Sequence, residues 1–346
     1  MSCVCRQLRF NLFASVLLLI AIKQSPASSY TPFVSYGGVL TTLNPPNGAL
    51  SNTGTINDLG QVFGTYWATS DRSSFAPLSA FEYWKGTYSD IVIPQQPSDA
   101  QLIASINDAG VTYGQYYTRT LPSNPGSNSY ESAFTQDATG FHPFSLPQCP
   151  RSTCIQTVIT GMNTSGVIVG YYGNEVGGAP EFGFVDRSGV PVTYAIPGMF
   201  DTLVSGINES GTMWGGGYIG STYESWIDTG TGANLLQLPG CVHTYIAGVN
   251  DSGTVAGTCW LTDWGLPRSL STAFFLQNGS VNFFNVMGAS GTELTGFNDG
   301  GDFTGTYYVL DPISSTPEPS SLALLGTGLA GLVGLRRRQR RFRAPD

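Results

Sequence analysis

The residues able to carry acid–base chemistry are few and scattered. Asp71, Glu131 and Asp263 fall in polar or turn-rich stretches between apolar runs. A pair of such carboxyls held about 5 to 10 Å apart would suit acid–base work on a glycosidic bond, but sequence spacing does not set that separation. His142 and His243 are the only histidines, with no nucleophile motif between them and no Gly-x-Ser-x-Gly elbow, so a serine-type triad is not indicated. Aromatic residues offer the other chemistry. Tyr66, Trp67 and Asp71, then Tyr116 and Tyr117, then Trp260, Asp263 and Trp264 form three clusters with arginine or carboxylate neighbours. Rings of this kind on loops stack on sugar faces while polar neighbours bond hydroxyls; in a purely structural role the same tyrosines close off the ends of strands.

Of six cysteines, Cys3 and Cys5 lie in the leader, and the other four make two local pairs, Cys149 with Cys154 and Cys241 with Cys259. In an exported chain these read as disulfides, the second tying two neighbouring strands. Zinc is the weaker account, because there is no C-x-x-C after the leader and histidine is scarce. Neither metal nor cofactor is expected.

What must position these residues is a phrase repeated six times. Its clearest copy is Gly248-Val249-Asn250-Asp251-Ser252-Gly253, and the phrase asparagines are Asn57, Asn107, Asn163, Asn208, Asn250 and Asn298, spaced by 50, 56, 45, 42 and 48 residues. Each copy reads as a β-hairpin: Asn and Asp bond their own backbone, Gly takes positive φ, and an alternating strand follows. Read as calcium loops, the turns lack the alternating acids and distal Glu of an EF-hand, so they are structural turns. A second strand pair separates the phrases, as in 80–86 followed by 91–94, so the unit is four strands, A to D. Units of this length without helical patterning predict a six-bladed β-propeller of four-stranded antiparallel blades.

The ends predict how the ring closes. The last phrase has no C/D pair after it, whereas Phe33 to Leu43 matches Phe275 to Asn285 and has no phrase before it. The N-terminal strands are therefore expected to pair with the C-terminal half-blade, which removes an open edge. Glycine, at 44 of 346 residues, supplies the turns, while charged residues are only 11%. A-to-B and C-to-D turns share one face of such a ring, and the longer B-to-C and D-to-A loops share the other. Carboxylates from several blades at the axial mouth would favour an enzyme; a mouth of Tyr, Gly and Thr would favour a binder.

Residues 1–27 have the basic start, the apolar run Leu12 to Ile22 and the small residues of a secretory signal. Residues 28–311 are the repeat domain, and 312–346 a linker and tail. In the tail, Pro317-Glu318-Pro319 is followed by an apolar stretch, 322–335, and an arginine-rich end, 336–343. The order resembles the PEP-CTERM sorting signal of Gram-negative, exopolysaccharide-making bacteria. That resemblance implies processing by an exosortase-type membrane enzyme, transient inner-membrane anchoring, and an extracellular or cell-surface destination. A permanent short anchor is the alternative, though fourteen apolar residues fall short of the ~20 needed for a comfortable span. The phrases, with Ala80-Phe81-Glu82-Tyr83-Trp84-Lys85-Gly86, resemble extracellular HAF-type repeats, which implies an exported repeat domain without assigned chemistry.

Charge narrows the partners. Nine of the 15 Lys/Arg lie in the two terminal segments and only two of the 23 acids do, leaving the repeat domain near −15. Nucleic acid is excluded as the main partner, since it demands clustered Lys/Arg. Extracellular polysaccharide fits. Two functions follow: a non-enzymatic binding or structural propeller of the surface or matrix, or a propeller-type glycosidase or lyase.

Overall fold

The computed structural model describes residues 29–45, 49–67, 78–92, 101–118, 130–148, 156–173, 181–262 and 270–310. All the regular elements there are strands. The chain opens with β1 (Ser29–Tyr36) and β2 (Val39–Thr42). Blade 1 is β3 (Ala49–Ile56), β4 (Val62–Trp67), β5 (Leu78–Trp84) and β6 (Thr87–Ile91), and blade 2 is β7 (Gln101–Ile106), β8 (Thr112–Thr118), β9 (Tyr130–Asp137) and β10 (Gly140–Phe144). Blade 3 follows as β11 (Gln156–Met162), β12 (Ile168–Gly173), β13 (Phe182–Asp186) and β14 (Pro191–Tyr194). Blade 4 is β15 (Thr202–Ile207), β16 (Met213–Ile219), β17 (Thr222–Asp228) and β18 (Ala233–Leu236), and blade 5 is β19 (His243–Val249), β20 (Val255–Trp260), β21 (Ser271–Gln277) and β22 (Ser280–Phe284). The chain returns in β23 (Gly291–Phe297) and β24 (Phe303–Val309).

Each blade is a four-stranded antiparallel sheet, and six of them make a six-bladed β-propeller. The sixth sheet has the order β2-β1-β24-β23, so both ends of the chain build one blade. Its register runs from Ser29↔Val309 to Ser35↔Phe303, with Val34 opposite Thr304. The closure expected from the unmatched ends is thus present, and β24 has no open edge.

A single cross-strand pair explains why this sequence accepts the fold six times. The strand-B glycines face strand-C aromatics in register: Gly64↔Phe81, Gly114↔Phe134, Gly170↔Phe184, Gly215↔Trp226, Gly257↔Phe274 and Gly305↔Phe33. All six rings are buried to within 1%. At Gly257 an added Cβ would lie 2.0 Å from the carbonyl oxygen of Tyr245 and 2.8 Å from the Phe274 ring, so only a bare backbone leaves the ring its place. The sixth pair, Phe33 on Gly305, joins the two ends of the chain and repeats the packing found inside the other blades.

The cores lie between blades. Trp214 of blade 4 packs with Ile246, Val255 and Phe274 of blade 5, and Val34 and Leu43 of blade 6 pack with Ile56, Val62 and Phe81 of blade 1. Leu43, Leu146 and Leu238 anchor the D-to-A connections in these seams. Because every seam buries one blade against the next, the ring as a whole supplies the burial that no single four-stranded sheet has.

Cys241 and Cys259 form a disulfide with Cα atoms 5.3 Å apart, just where Val242 N–H donates to the Trp260 carbonyl. The bond ties the lead-in to β19 against β20, as its position in the sequence indicated. The other proposed pair, Cys149 and Cys154, lies outside the described residues, as do the leader and the tail. Replacing both Cys241 and Cys259 with Ser is expected to cost about 3 kcal/mol, the loop-closure value for an 18-residue separation. Denaturant unfolding of the two forms, side by side, checks it, and coincident midpoints would refute it.

Candidate functional site: the axial cavity and its ring of turns

The six phrases converge on the axis. In each, the asparagine side chain accepts at Oδ1 from the backbone N–H four residues on, at 2.8–3.0 Å: Gln61, Val111, Val167, Thr212, Thr254 and Asp302. The Asn N–H returns a bond to the carbonyl of that same residue, and the phrase glycine donates to the Asn carbonyl. This closes a tight loop that requires positive φ at its glycine; φ is 78–86° at Gly60, Gly110, Gly166, Gly211, Gly253 and Gly301.

The acidic residue behaves differently from the expectation that it would bond its own backbone. Its carboxylate reaches the neighbouring blade. Asp108 accepts from the N–H of Asp58, Glu209 from Thr164, Asp251 from Ser210, Asp299 from Asp251, and Asp58 from Asp299, all at 2.7–3.0 Å. Five of the six seams are clasped in this way, all in one rotational sense. Thr164 occupies the acid's place in blade 3, and there the relay is interrupted. Asparagine amides add a second tier, with Asn107 Nδ2 donating to Asn163 O, Asn163 to Asn208 O, and Asn298 to Asn57 O.

Below these turns lies an axial cavity of about 150 Å³. Strand A of each blade helps to line it, and the lining includes one small residue at the same place in every blade: Thr55, Ser105, Thr160, Ser205, Ala247 and Thr295. In blades 3 to 6 that residue is the extra one of a β-bulge, which turns a side chain inward that regular pleating would send elsewhere. Five hydroxyl-bearing residues and one alanine therefore line the cavity together with Asp58, Asp108, Glu209 and Asp299, and among the described residues no Lys, Arg or His lines it. Burial, with the added crowding of Asp108 and Asp251, pushes the Asp58 carboxyl up even though it accepts a backbone bond from Asp299. Asp299 is raised for the same reasons, burial first and then Asp58 and Asp251. Among the described residues no three His, Cys, Asp or Glu side chains are grouped to hold a metal ion.

The aromatic candidates are not gathered into one surface among the described residues. Tyr66 is buried, with its ring 6.3 Å from that of Phe81 and its hydroxyl donating to Asp90 at 2.7 Å. Tyr116 sits half-buried, about equally far from Phe134 and Phe141, at 6.2 and 6.1 Å. Trp260, at the end of β20, is also half-buried. The side chains of Trp67, Tyr117 and Glu131, and the whole of Asp71, Asp263 and Trp264, lie outside the described residues. His142 belongs to an exposed hairpin, where its Nε2 is 3.1 Å from Asp137 and 2.9 Å from the Thr139 hydroxyl. Bonds from Thr139 first, then His142, hold Asp137 at about 2. Both partners meet the same ring nitrogen. The ring of carboxylates, by contrast, escaped the sequence reading; its one signal there was the acid recurring beside the phrase asparagine in five of six copies.

Comparison with known proteins bears on the tail and on the fold. The family model described as the PEP-CTERM protein-sorting motif matches residues 315–338. The tail carries a PEP-CTERM sorting motif. Such a motif indicates an exported, cell-surface protein of Gram-negative bacteria, handled by exosortase-type machinery. No curated protein matches the chain. Among solved structures, a candidate TolB from Agrobacterium tumefaciens is 12% identical over 83% of this chain and 99% of its own, with a TM-score of 0.54, a likeness of fold. PorZ, a surface component of the type-IX secretion system of Porphyromonas gingivalis, is 12% identical over 76% of this chain and 40% of its own, with a TM-score of 0.36. An α-L-arabinanase of Penicillium chrysogenum, complexed with arabinobiose, is 11% identical over 82% of this chain and 99% of its own, with a TM-score of 0.34.

Proposed function

We propose that the chain is a non-enzymatic binding or structural propeller of the bacterial surface or its exopolysaccharide matrix. Residues 1–27 act as the secretory leader, 28–311 form the HAF-type repeat domain, and 312–346 form the sorting tail that contacts the inner membrane transiently until an exosortase-type enzyme acts on it. The observation that carries this reading is the use made of the converging acids. Each of the five spends an oxygen on a backbone N–H of the adjacent blade, which makes the axial turns a device for holding blades together. Ligand contact then falls to the long B-to-C loops and the strand ends that flank them, where Trp67, Asp71, Tyr117, Asp263 and Trp264 supply rings and polar groups suited to neutral sugars.

The meeting of Asp58, Asp108, Glu209 and Asp299 at the axial mouth, with burial pushing the pKa of Asp58 and Asp299 up, favours a second reading, a carbohydrate-active enzyme, because perturbed carboxyls are a mark of acid–base sites. One experiment separates the two. The purified chain is screened on a glycan array and each hit is assayed for release of reducing ends. Retention without release, weakened tenfold or more by Trp67→Ala with Trp264→Ala, is the expected result. Release that disappears in Asp58→Asn or Asp299→Asn would establish the enzyme instead.

A further inference from the structure

Three separate stretches of chain meet where the ring closes on its turn face. The β1–β2 turn contributes Tyr36, whose hydroxyl donates to Gly60 O at 2.8 Å, and Gly37, whose N–H donates to Asp302 Oδ1 at 2.8 Å. The phrase of β23–β24 contributes Asn298 Nδ2, donating to Asn57 O at 3.0 Å, and Asp299 N–H, donating to Asp58 Oδ1 at 2.7 Å. Asp58 in turn gives its own N–H to Asp108, and Asp299 accepts from Asp251. Asp58 and Asp299 therefore each have a carboxylate residue on either side.

We propose that the seam joining the chain ends is an acid-tightened clasp, in which charge on Asp58 and Asp299 works against ring closure and its removal strengthens it. Besides each other, the acids acting on these two are Asp108 and Asp251; in the same seam Asp302 and Tyr83 face Tyr36, and Glu82 is tied to Gln61 at 2.6 Å. Among the described residues, the cavity lining that holds Asp58, Asp108 and Asp299 includes no Lys, Arg or His. Like charges in a half-buried ring repel with little screening. The backbone bonds survive neutralisation, because a protonated carboxyl or an asparagine amide keeps an oxygen that accepts.

The direction of the pH effect follows. A carboxyl raised in the folded state binds its proton more tightly there than in the unfolded chain, so stability grows as pH falls through the folded value and is fully present below the ordinary Asp range. The exposed Asp137 has the opposite sign, and its contribution fades only near the bottom of that range.

Thermal unfolding of the full chain between about pH 7 and pH 4.5 tests the clasp, with Asp58→Asn/Asp299→Asn as the variant and Glu224→Gln as a control for simple loss of charge. The unsubstituted chain should melt higher as pH falls; the double variant should start higher at neutral pH and lose at least half of that slope, while the control keeps it. A double variant that melts lower at neutral pH, or retains the full slope, would overturn the proposal. Hydrogen exchange supplies a readout that needs no variant. After correction for intrinsic rate, the Asp299 and Gly37 amides should gain protection on acidification several-fold more than that of Val204 in blade 4; equal gains would also overturn it.

Discussion

Removing residues 29–43 is expected to abolish cooperative unfolding of the whole ring. The segment carries β1 and β2 and with them Phe33, Val34 and Leu43, all fully buried. At roughly 1.5–3 kcal/mol per buried side chain these three alone contribute on the order of 5–9 kcal/mol, against a total of about 5–15 kcal/mol for a whole domain. The loss reaches further, since β24 would be left with an open edge along the seven register pairs it now makes with β1. Phe303, Leu294 and Ala273 would lose the Phe33 ring they pack with. Guanidinium titration followed by tryptophan fluorescence and circular dichroism is the check. A truncated chain with the midpoint and slope of the full one would show that the ring does not depend on its closing strands.

The second large effect concerns the glycine beneath the ring. Gly257→Val is expected to destabilise by at least 3 kcal/mol, the upper end of ordinary overpacking, because the new Cβ meets the Tyr245 carbonyl and not only a movable side chain. Phe274→Ala at the facing position should cost about 3–5 kcal/mol by leaving a cavity in a fully buried site. The two are coupled in part. Once Phe274 is gone the valine keeps its clash with the backbone and loses its clash with the ring, so the double variant should be less unstable than the two losses added together. Equilibrium unfolding of the four proteins gives the coupling directly, and strict additivity would deny that ring and glycine share one space.

Much of this was open to reading from the chain. The 42-to-56-residue recurrence, the turn chemistry of Asn and Gly and the unmatched strand pairs at the two ends are local patterns. Secondary structure and strand order follow from them because a period of two and a positive-φ turn are decided within a few residues. The disulfide between Cys241 and Cys259 was legible for a similar reason, as a hairpin places its flanks side by side.

The site was harder to read. Tyr66 and Tyr116 resemble loop aromatics in the sequence, but the pleat turns both toward neighbouring rings inside their blades. A shift of one residue in register would have turned them the other way, and register is a property of the assembled sheet. The phrase acid looked like one more turn residue.

The sequence by itself thus determined the blade count, the strand order, the partners at ring closure and the sorting tail, since each is written in short-range pattern. Only the tertiary structure decided that Asp58, Asp108, Glu209, Asp251 and Asp299 clasp neighbouring blades, and that the bulged residues of the inner strands line one axial cavity. The acceptor and donor of each such bond lie some 40 to 50 residues apart, or 241 at the closing seam. They meet only because six four-stranded sheets are held in a circle by the apolar faces between them.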